Sequence, residues 1–276
     1  MMEYPNFSVL LSVYNKEKAE NLKQALNSIW NLQSVKPTEI VLVKDGSLTP
    51  ELDAVIAEFS LNSPLKIVSL PINQGLGRAL NEGIKHCSCE WIARMDSDDI
   101  SMPDRFEIQL HYVKDHPDVD LVGAWVSEFE DEISNVRFVR KVPSSDKEIL
   151  VYAQQRNPLN HPVVLFRKQT VIQVGGYQHC PLFEDYWLWV RMLKNGYKVY
   201  NIPRSLLWFR ASDDMFKRRG GLRYIYYEYQ FQKKIRKLGF ITRSTFFKNM
   251  GVRCFFRMIP NRFRVYLYKV VLRDKE

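Results

Sequence analysis

The run Glu90-Trp91-Ile92-Ala93-Arg94-Met95-Asp96-Ser97-Asp98-Asp99 puts three carboxylates within four positions, directly behind an apolar stretch that reads as a strand. Like charges crowded at the exit of a buried strand cost stability unless a cation is brought to them. Hard carboxylate oxygens suit Mg2+ or Mn2+, and such ions commonly arrive with substrate phosphates. The cluster therefore points to a metal-diphosphate site at the mouth of a sheet. An EF-hand loop is disfavoured, because its glycine and distal glutamate are missing. The plainer alternative is that Asp98 or Asp99 caps the helix that follows. Ser101 with Asp104 three positions on already offers a capping box there, which weakens that need.

Other residues extend the same chemistry. Asp45, in Val43-Lys44-Asp45-Gly46-Ser47, reads locally as an Asp-Gly turn, but a carboxylate there can accept a hydrogen bond from a base imide N–H. Glu184-Asp185 precedes an aromatic helix, where acids also favour the helix dipole. Its functional reading is a general base, since transfer to a hydroxyl needs a proton acceptor separate from the metal ligands. Asn73, Gly75 and Arg78 stand at a helix start, where backbone N–H groups and a guanidinium can meet a diphosphate. His161, in Asn160-His161-Pro162, and Arg210 with Ser212 are further candidates, although a lone loop histidine is more often structural.

These residues need elements to hold them, and the first hundred positions supply strand and helix signals in alternation. Strands are predicted at Phe7–Val13, Glu39–Lys44, Leu65–Leu70 and Glu90–Met95. Between them run helical patterns at Leu22-Leu26-Ile29-Trp30, at Leu52-Val55-Ile56-Phe59 behind Thr49-Pro50, and at Leu76-Leu80-Ile84. Repeated strand–helix–strand units imply a parallel sheet whose ligands sit at the carboxyl ends of the strands. Asn15, Asp45, Asn73 and Asp96 all fall just past strand ends and should converge on one edge. Beyond residue 100 the pattern predicts a helix from Ser101, strands at 120–129 and 136–139, a helix at 146–155 and a strand at 163–166. An aromatic helix at 186–194 and two strands at 198–202 and 206–210 close that half.

Composition narrows the class. A chain of 276 residues with 46% hydrophobic and 13% aromatic residues buries a sizeable core and is not a disordered chain. Its longest apolar runs fall short of the roughly 18 residues of a membrane span. The first six residues carry no basic region or signal-like core, and four cysteines make neither a disulfide framework nor a zinc set. A reducing cytosolic setting is the simplest reading. Charge is unevenly spread: residues 1–216 hold 23 Lys/Arg against 28 Asp/Glu, and residues 217–276 hold 17 against 3. That tail also carries aromatics such as Tyr224, Tyr226, Phe247, Phe255, Tyr266 and Tyr268. With no nucleic-acid module beside it, the tail suits an anionic membrane surface better than nucleic acid, the bland alternative being a helical layer with a solvated basic face. One domain over residues 1–215 followed by a basic helical region, 216–276, is the expected organisation.

The ordered set of motifs resembles the family 2 glycosyltransferases of GT-A fold. It comprises Ser12-Val13-Tyr14-Asn15, Asp45-Gly46-Ser47, Asn73-Gln74-Gly75, Asp96-Ser97-Asp98-Asp99 and Glu184-Asp185, spanning residues 7 to about 215. Lys44-Asp45 stands where the family more often has two aspartates. The resemblance implies a Rossmann-like, mostly parallel sheet flanked by helices. It also implies an inverting transferase that uses Mn2+ or Mg2+ and a nucleotide-sugar donor, UDP-linked by preference. By position, Val13, Tyr14 and Asn15 would line the nucleotide pocket, Asp45 would bind the uracil and Asp96 the ribose or sugar. Asn73 and Arg78 would lie at the donor, Asp98 would ligate the metal, Asp185 would be the base, and Glu184 and His161 would contact the acceptor. Asn160-His161-Pro162 and Ser212 to Gly221 resemble bacterial members that build surface polysaccharides such as O-antigen or exopolysaccharide. For them the acceptor is a polyprenyl-diphosphate-linked saccharide at the inner face of the cell membrane.

Two other classes share some of these features. A sugar-phosphate nucleotidyltransferase wants a glycine-rich loop after the first strand, where this chain has Val13-Tyr14-Asn15-Lys16. A non-catalytic carbohydrate-binding protein would not need the base. Metal-dependent hydrolysis of a UDP-sugar panel separates the three.

Overall fold

The computed structural model describes residues 4–130, 132–211 and 221–258. Strand β1 (Phe7–Val13) is followed by helix α1 (Ala19–Ile29), β2 (Glu39–Asp45), α2 (Pro50–Ser60), β3 (Leu65–Leu70), α3 (Leu76–His86) and β4 (Trp91–Asp96). Next come β5 (Ile100–Ser101), α4 (Arg105–Asp115), β6 (Leu121–Phe129), β7 (Val136–Arg140) and α5 (Asp146–Ala153). A 3-10 turn at His161–Val163 leads to β8 (Leu165–Arg167), α6 (Lys168–Gln173), α7 (Glu184–Lys194) and β9 (Val199–Arg210), and the helices α8 (Leu222–Lys237) and α9 (Arg243–Met258) follow.

One sheet runs in the order β3-β2-β1-β4-β8-β6-β9-β5, with β7 added on β6. The first four strands pair in parallel, as do β6 and β9, whereas β8, β7 and β5 pair antiparallel with their neighbours. Strands β1, β2 and β4 are buried on both faces, which is why they are nearly continuous apolar runs, whereas β3 is a half-exposed edge strand. Val9, Leu11, Ile40 and Leu42 face a core shared with α1, α2 and α4, while Leu10, Val41 and Val43 face a second core shared with α3 and α7. In-register pairing of Ser12 with Asp96 and of Val13 with Lys44 brings the strand ends to one edge.

Several local expectations need correction. No Ser101–Asp104 capping box forms: Ser101 is in β5, paired with Leu207, and its buried hydroxyl meets Gln33 Nε2 at 3.2 Å. Helix α4 begins after Asp104, whose carboxylate makes an ion pair with Arg204 and no cap bond. The strands expected at 198–202 and 206–210 are one strand, β9. Pro203, between the two expected runs, sits in a register shift where Ala124 faces Ile202 and Trp125 faces Ser205. A bulge leaves those extra residues outside the ladder and so tolerates a proline. Glu184 and Asp185 lie inside the first turn of α7, after Phe183. The Thr49 cap on α2 forms as expected, with its hydroxyl accepting from Leu52 N. The segment expected to mark surface-polysaccharide members lies outside the described residues except for Gly221, as do Ser212 and the tail from 259 onward.

The last two helices are not a free appendage. Tyr224, Phe231 and Ile235 of α8 and Phe246 of α9 share a third core with Phe183, which precedes α7, and with Tyr186 and Trp187 of α7. Phe183 stacks on Phe231 with ring centroids 4.9 Å apart. Among the described residues, no helix is long and apolar enough to cross a membrane.

Candidate functional site

The acidic cluster forms at the carboxyl end of β4. Asp96, Asp98 and Asp99 each offer a carboxylate oxygen, and these oxygens lie within 4.8 Å of one another. Burial, Asp96 and Glu17 push the Asp98 carboxyl up to about 7, and Asp99 is raised well above the ordinary aspartate range by burial and by Asp98. One oxygen of Asp99 is buried without a hydrogen-bond partner. Its other oxygen accepts the backbone N–H of Arg210 at 2.9 Å, so Asp99 ties the loop to the end of β9 and caps no helix. The Arg210 guanidinium adds bonds to Asp98 O (2.9 Å) and Gln24 Oε1 (2.7 Å). Crowded hard oxygens, one of them orphaned, fit a divalent cation such as Mg2+ or Mn2+.

Two loops flank the cluster. After β1, Val13 is fully buried in the core and has only backbone to offer a ligand, while Tyr14 and Asn15 are exposed. Glu17 in the same loop accepts a hydrogen bond from Ser97 Oγ at 3.1 Å. After β2, both carboxylate oxygens of Asp45 are engaged, accepting Gln74 N (2.7 Å) and Gly75 N (3.0 Å). Asn73 Nδ2 donates to Asp45 O at 3.2 Å. Gly46 has φ +86°, and a Cβ there would stand 2.7 Å from Asn73 N, so the close approach of the two loops requires glycine. Lys44 points elsewhere and pairs with Asp53 at 2.6 Å. Asp45→Asn would set an amide N–H against a backbone N–H. It should cost about 1–3 kcal/mol of stability, read as a lower urea midpoint at unchanged slope. An unaltered midpoint would show that the loop does not depend on this carboxylate.

On the other side of the edge, Asp185 accepts a hydrogen bond from Asn157 Nδ2 at 2.7 Å. Burial raises its carboxyl above the ordinary range, against the pull of the Tyr186 backbone, Asn157, Arg94 and Arg140. Glu184 is also raised by burial and packs beside Gly77 at the start of α3. Leu182, just before this turn, has φ +69° and is the one non-glycine among the described residues with a positive φ. Such a conformation costs a leucine about 1–2 kcal/mol. His161 does not sit open at the site: Nε2 is 2.8 Å from the Tyr177 hydroxyl and the ring edges Trp189. Burial and Arg94 hold its pKa well below the usual histidine value, so it is neutral. Arg78 is exposed at the start of α3.

Residues 8–173 match the sequence profile of Glycosyl transferase family 2. The chain belongs to that family. The amylovoran biosynthesis glycosyltransferase AmsE of Erwinia amylovora is 43% identical over 266 residues, covering 95% of this chain and 98% of the relative. The UDP-Gal:alpha-D-GlcNAc-diphosphoundecaprenol beta-1,3-galactosyltransferase of Escherichia coli is 39% identical over 98% of this chain and 97% of its own length. In fold, the mannosyltransferase PcManGT of Pyrobaculum calidifontis, solved with GDP-Man and Mn2+, superposes with a TM-score of 0.65 at 16% identity. That match covers 96% of this chain and 73% of the other. The architecture is therefore GT-A.

Sequence reasoning about this glycosyltransferase missed four residues. Arg94 is buried beneath the cluster, with Nη2 on Asp96 and with Nε and Nη1 unpartnered. Being two positions before Asp96 on one strand, it shares that residue's face, a signal the period-2 rule contains. Glu17 lies four positions past β1 on the edge already suspected. Tyr177, whose backbone is clamped by Asn81 through bonds of 2.7 and 2.8 Å, and Asn157 had no local signal.

Proposed function

We propose that this glycosyltransferase moves a sugar from a UDP-sugar to a hydroxyl of a lipid-linked saccharide, with inversion, in bacterial surface-polysaccharide assembly. The observation that supports it most is the presence of two acidic sites that share the charge of Arg94 as a partner, the crowded cluster after β4 and Asp185 in the first turn of α7. The sugar, nucleotide and acceptor follow the relatives of about 40% identity, whose names give polysaccharide biosynthesis and, for one, a UDP-galactose donor with a GlcNAc-diphosphoundecaprenol acceptor.

Asp98 would hold the cation, with Asp96 and Asp99 beside it. A bound Mn2+ or Mg2+ supplies Lewis-acid stabilisation of charge on the departing nucleoside diphosphate. Tyr14, Asn15 and the Val13 backbone would face the nucleotide. Asp45 uses two of its roughly four lone-pair positions on the loop, which leaves room to accept a base N–H. Asn73, Arg78 and the first N–H groups of α3 suit the diphosphate, and Asp96 suits the ribose or sugar. Asp185 removes the acceptor hydroxyl proton as that oxygen attacks the anomeric carbon from the face opposite the leaving group. One displacement turns an α-linked donor into a β-glycoside. Glu184 would bind the acceptor directly. His161, enclosed by Tyr177 and Trp189, would act by holding the Tyr177 phenol. The basic helices α8 and α9 would keep the enzyme at the inner membrane leaflet, where each lysine or arginine near an anionic surface is worth about 1 kcal/mol.

Release of UDP from a panel of UDP-sugars, with and without Mn2+, tests the donor reading. A chain that releases none, under conditions where it remains folded, would remove the UDP-sugar assignment.

A further inference from the structure

The α8–α9 hairpin exposes large apolar side chains. Tyr226 is 58% exposed, Phe247 68% and Phe255 66%, and Leu222 and Tyr229 are exposed as well. Leu222, Tyr226 and Tyr229 recur at helical spacing on α8, and Lys233 and Lys237 continue that stripe. On α9, Phe247 and Phe255 lie eight positions apart and so share a face, with Arg243 and Lys248 beside them. Ring contacts join the two stripes: Tyr229 meets Phe246 edge-on at 6.1 Å, and Phe246 meets Phe247 at 5.4 Å. The Arg236 guanidinium lies 4.9 Å from the Phe246 ring.

Charge says what such a face can meet. Residues 221–258 hold nine Lys/Arg and a single acid, Glu228. That glutamate is 1% exposed and pairs with Arg253, so it presents no negative surface. Two copies of so basic a face repel each other, whereas aromatic rings ringed by lysine and arginine match the interface of an anionic bilayer.

We propose that this aromatic face, centred on Tyr226, Tyr229, Phe247 and Phe255, inserts into the headgroup layer of an anionic membrane while the flanking cations engage lipid phosphates. The inference rests on the membrane-attachment reading above and deepens it from charge attraction to seating by a defined face. It also fixes an orientation. Phe231 of α8 packs against Phe183, at 4.9 Å, and against Tyr186, at 4.6 Å, the residues that flank Glu184 and Asp185. The seated hairpin is thus built onto the turn that carries the base.

The test is sedimentation of the full chain with phosphatidylglycerol-containing vesicles and with pure phosphatidylcholine vesicles, at low and high salt. The double variant Phe247→Ser/Phe255→Ser keeps every charge and alters only exposed side chains, and an unchanged melting temperature checks its fold. Retention on the anionic vesicles should fall about tenfold or more, because two rings lose their apolar burial. A second variant, Lys233→Ala/Lys248→Ala, should weaken retention and reduce its salt dependence. If the wild-type chain is retained and the double serine variant is retained equally, ring insertion is overturned while charge-driven attachment stands. If the wild-type chain is not retained at low salt, the attachment reading itself fails. Concentration-dependent dimers lost in the serine variant, or vesicle-independent capture of an acidic protein by the same face, would also overturn the proposal.

Discussion

Replacing Asp185 by Asn should lower sugar transfer by about 10^2 to 10^4-fold, the usual contribution of a positioned general base, or about 3–5 kcal/mol of activation free energy. Donor binding should stay near that of the parent chain, because in the proposed role the residue acts on the acceptor. The substitution is close to isosteric, so Asn157 keeps a partner and a costly buried charge disappears. Melting temperature should therefore hold or rise. That combination separates a lost proton acceptor from a damaged fold. The parent enzyme should also report the group through pH. The base works only when ionised, and burial raises its pKa, so turnover falls as pH drops through a value above that of an ordinary aspartate. Transfer measured in the variant, with UDP-sugar titrated calorimetrically, decides the matter. Near-normal turnover would remove Asp185 from the role.

Replacing Asp98 by Asn should cost on the order of 10^2-fold or more in transfer, since Lewis-acid stabilisation is worth several kcal/mol. A second readout does not involve activity. Saturating Mn2+ at a hundred times its Kd stabilises a folded chain by about 2.7 kcal/mol, a rise of several degrees in melting temperature for a protein of this size. The parent chain should show that rise and the variant should not. Without metal the variant should be at least as stable as the parent, because burial, Asp96 and Glu17 all disfavour the Asp98 charge. An Mn2+ shift of parental size in the variant would mean that the cation sits elsewhere or is held without Asp98.

The two sites were legible to different depths. Apolar runs of β length, each ended by a polar turn, announced β1 to β4 and therefore the edge on which Asp96 and Asp98 sit. Local chemistry was enough there, since a strand buried on both faces has one available reading. Asp99 was not legible. Its partner is the backbone of Arg210, 111 positions away, and no local pattern encodes a bond of that range. The capping-box motif at Ser101 misled for the same reason, since pairing of β5 with β9 outweighed a local helix start. The runs at 198–202 and 206–210 were expected as two strands, and the register shift opposite Trp125 that lets β9 carry Pro203 between them has no local signal. Asp185 was singled out by type and by helix start, whereas the Asn157 bond that steadies it depends on how a distant loop packs. Arg94 could have been found, as it stands on the same face of β4 as Asp96, but an arginine inside an apolar run gives no sign that it is buried.

The hydrogen bond from Ser97 to Glu17 joins the loop carrying Asp98 to the loop carrying Tyr14 and Asn15. The proposed cation-holding and nucleotide-facing halves of the donor site thus share a mechanical link, and Glu17 also bears on the charge of Asp98. Coupling between two binding events is reciprocal. Whatever factor the nucleotide adds to cation affinity, the cation must return to nucleotide affinity. The contact between the two loops would then set how ordered their arrival is, and Glu17 is the residue through which that cooperativity would pass.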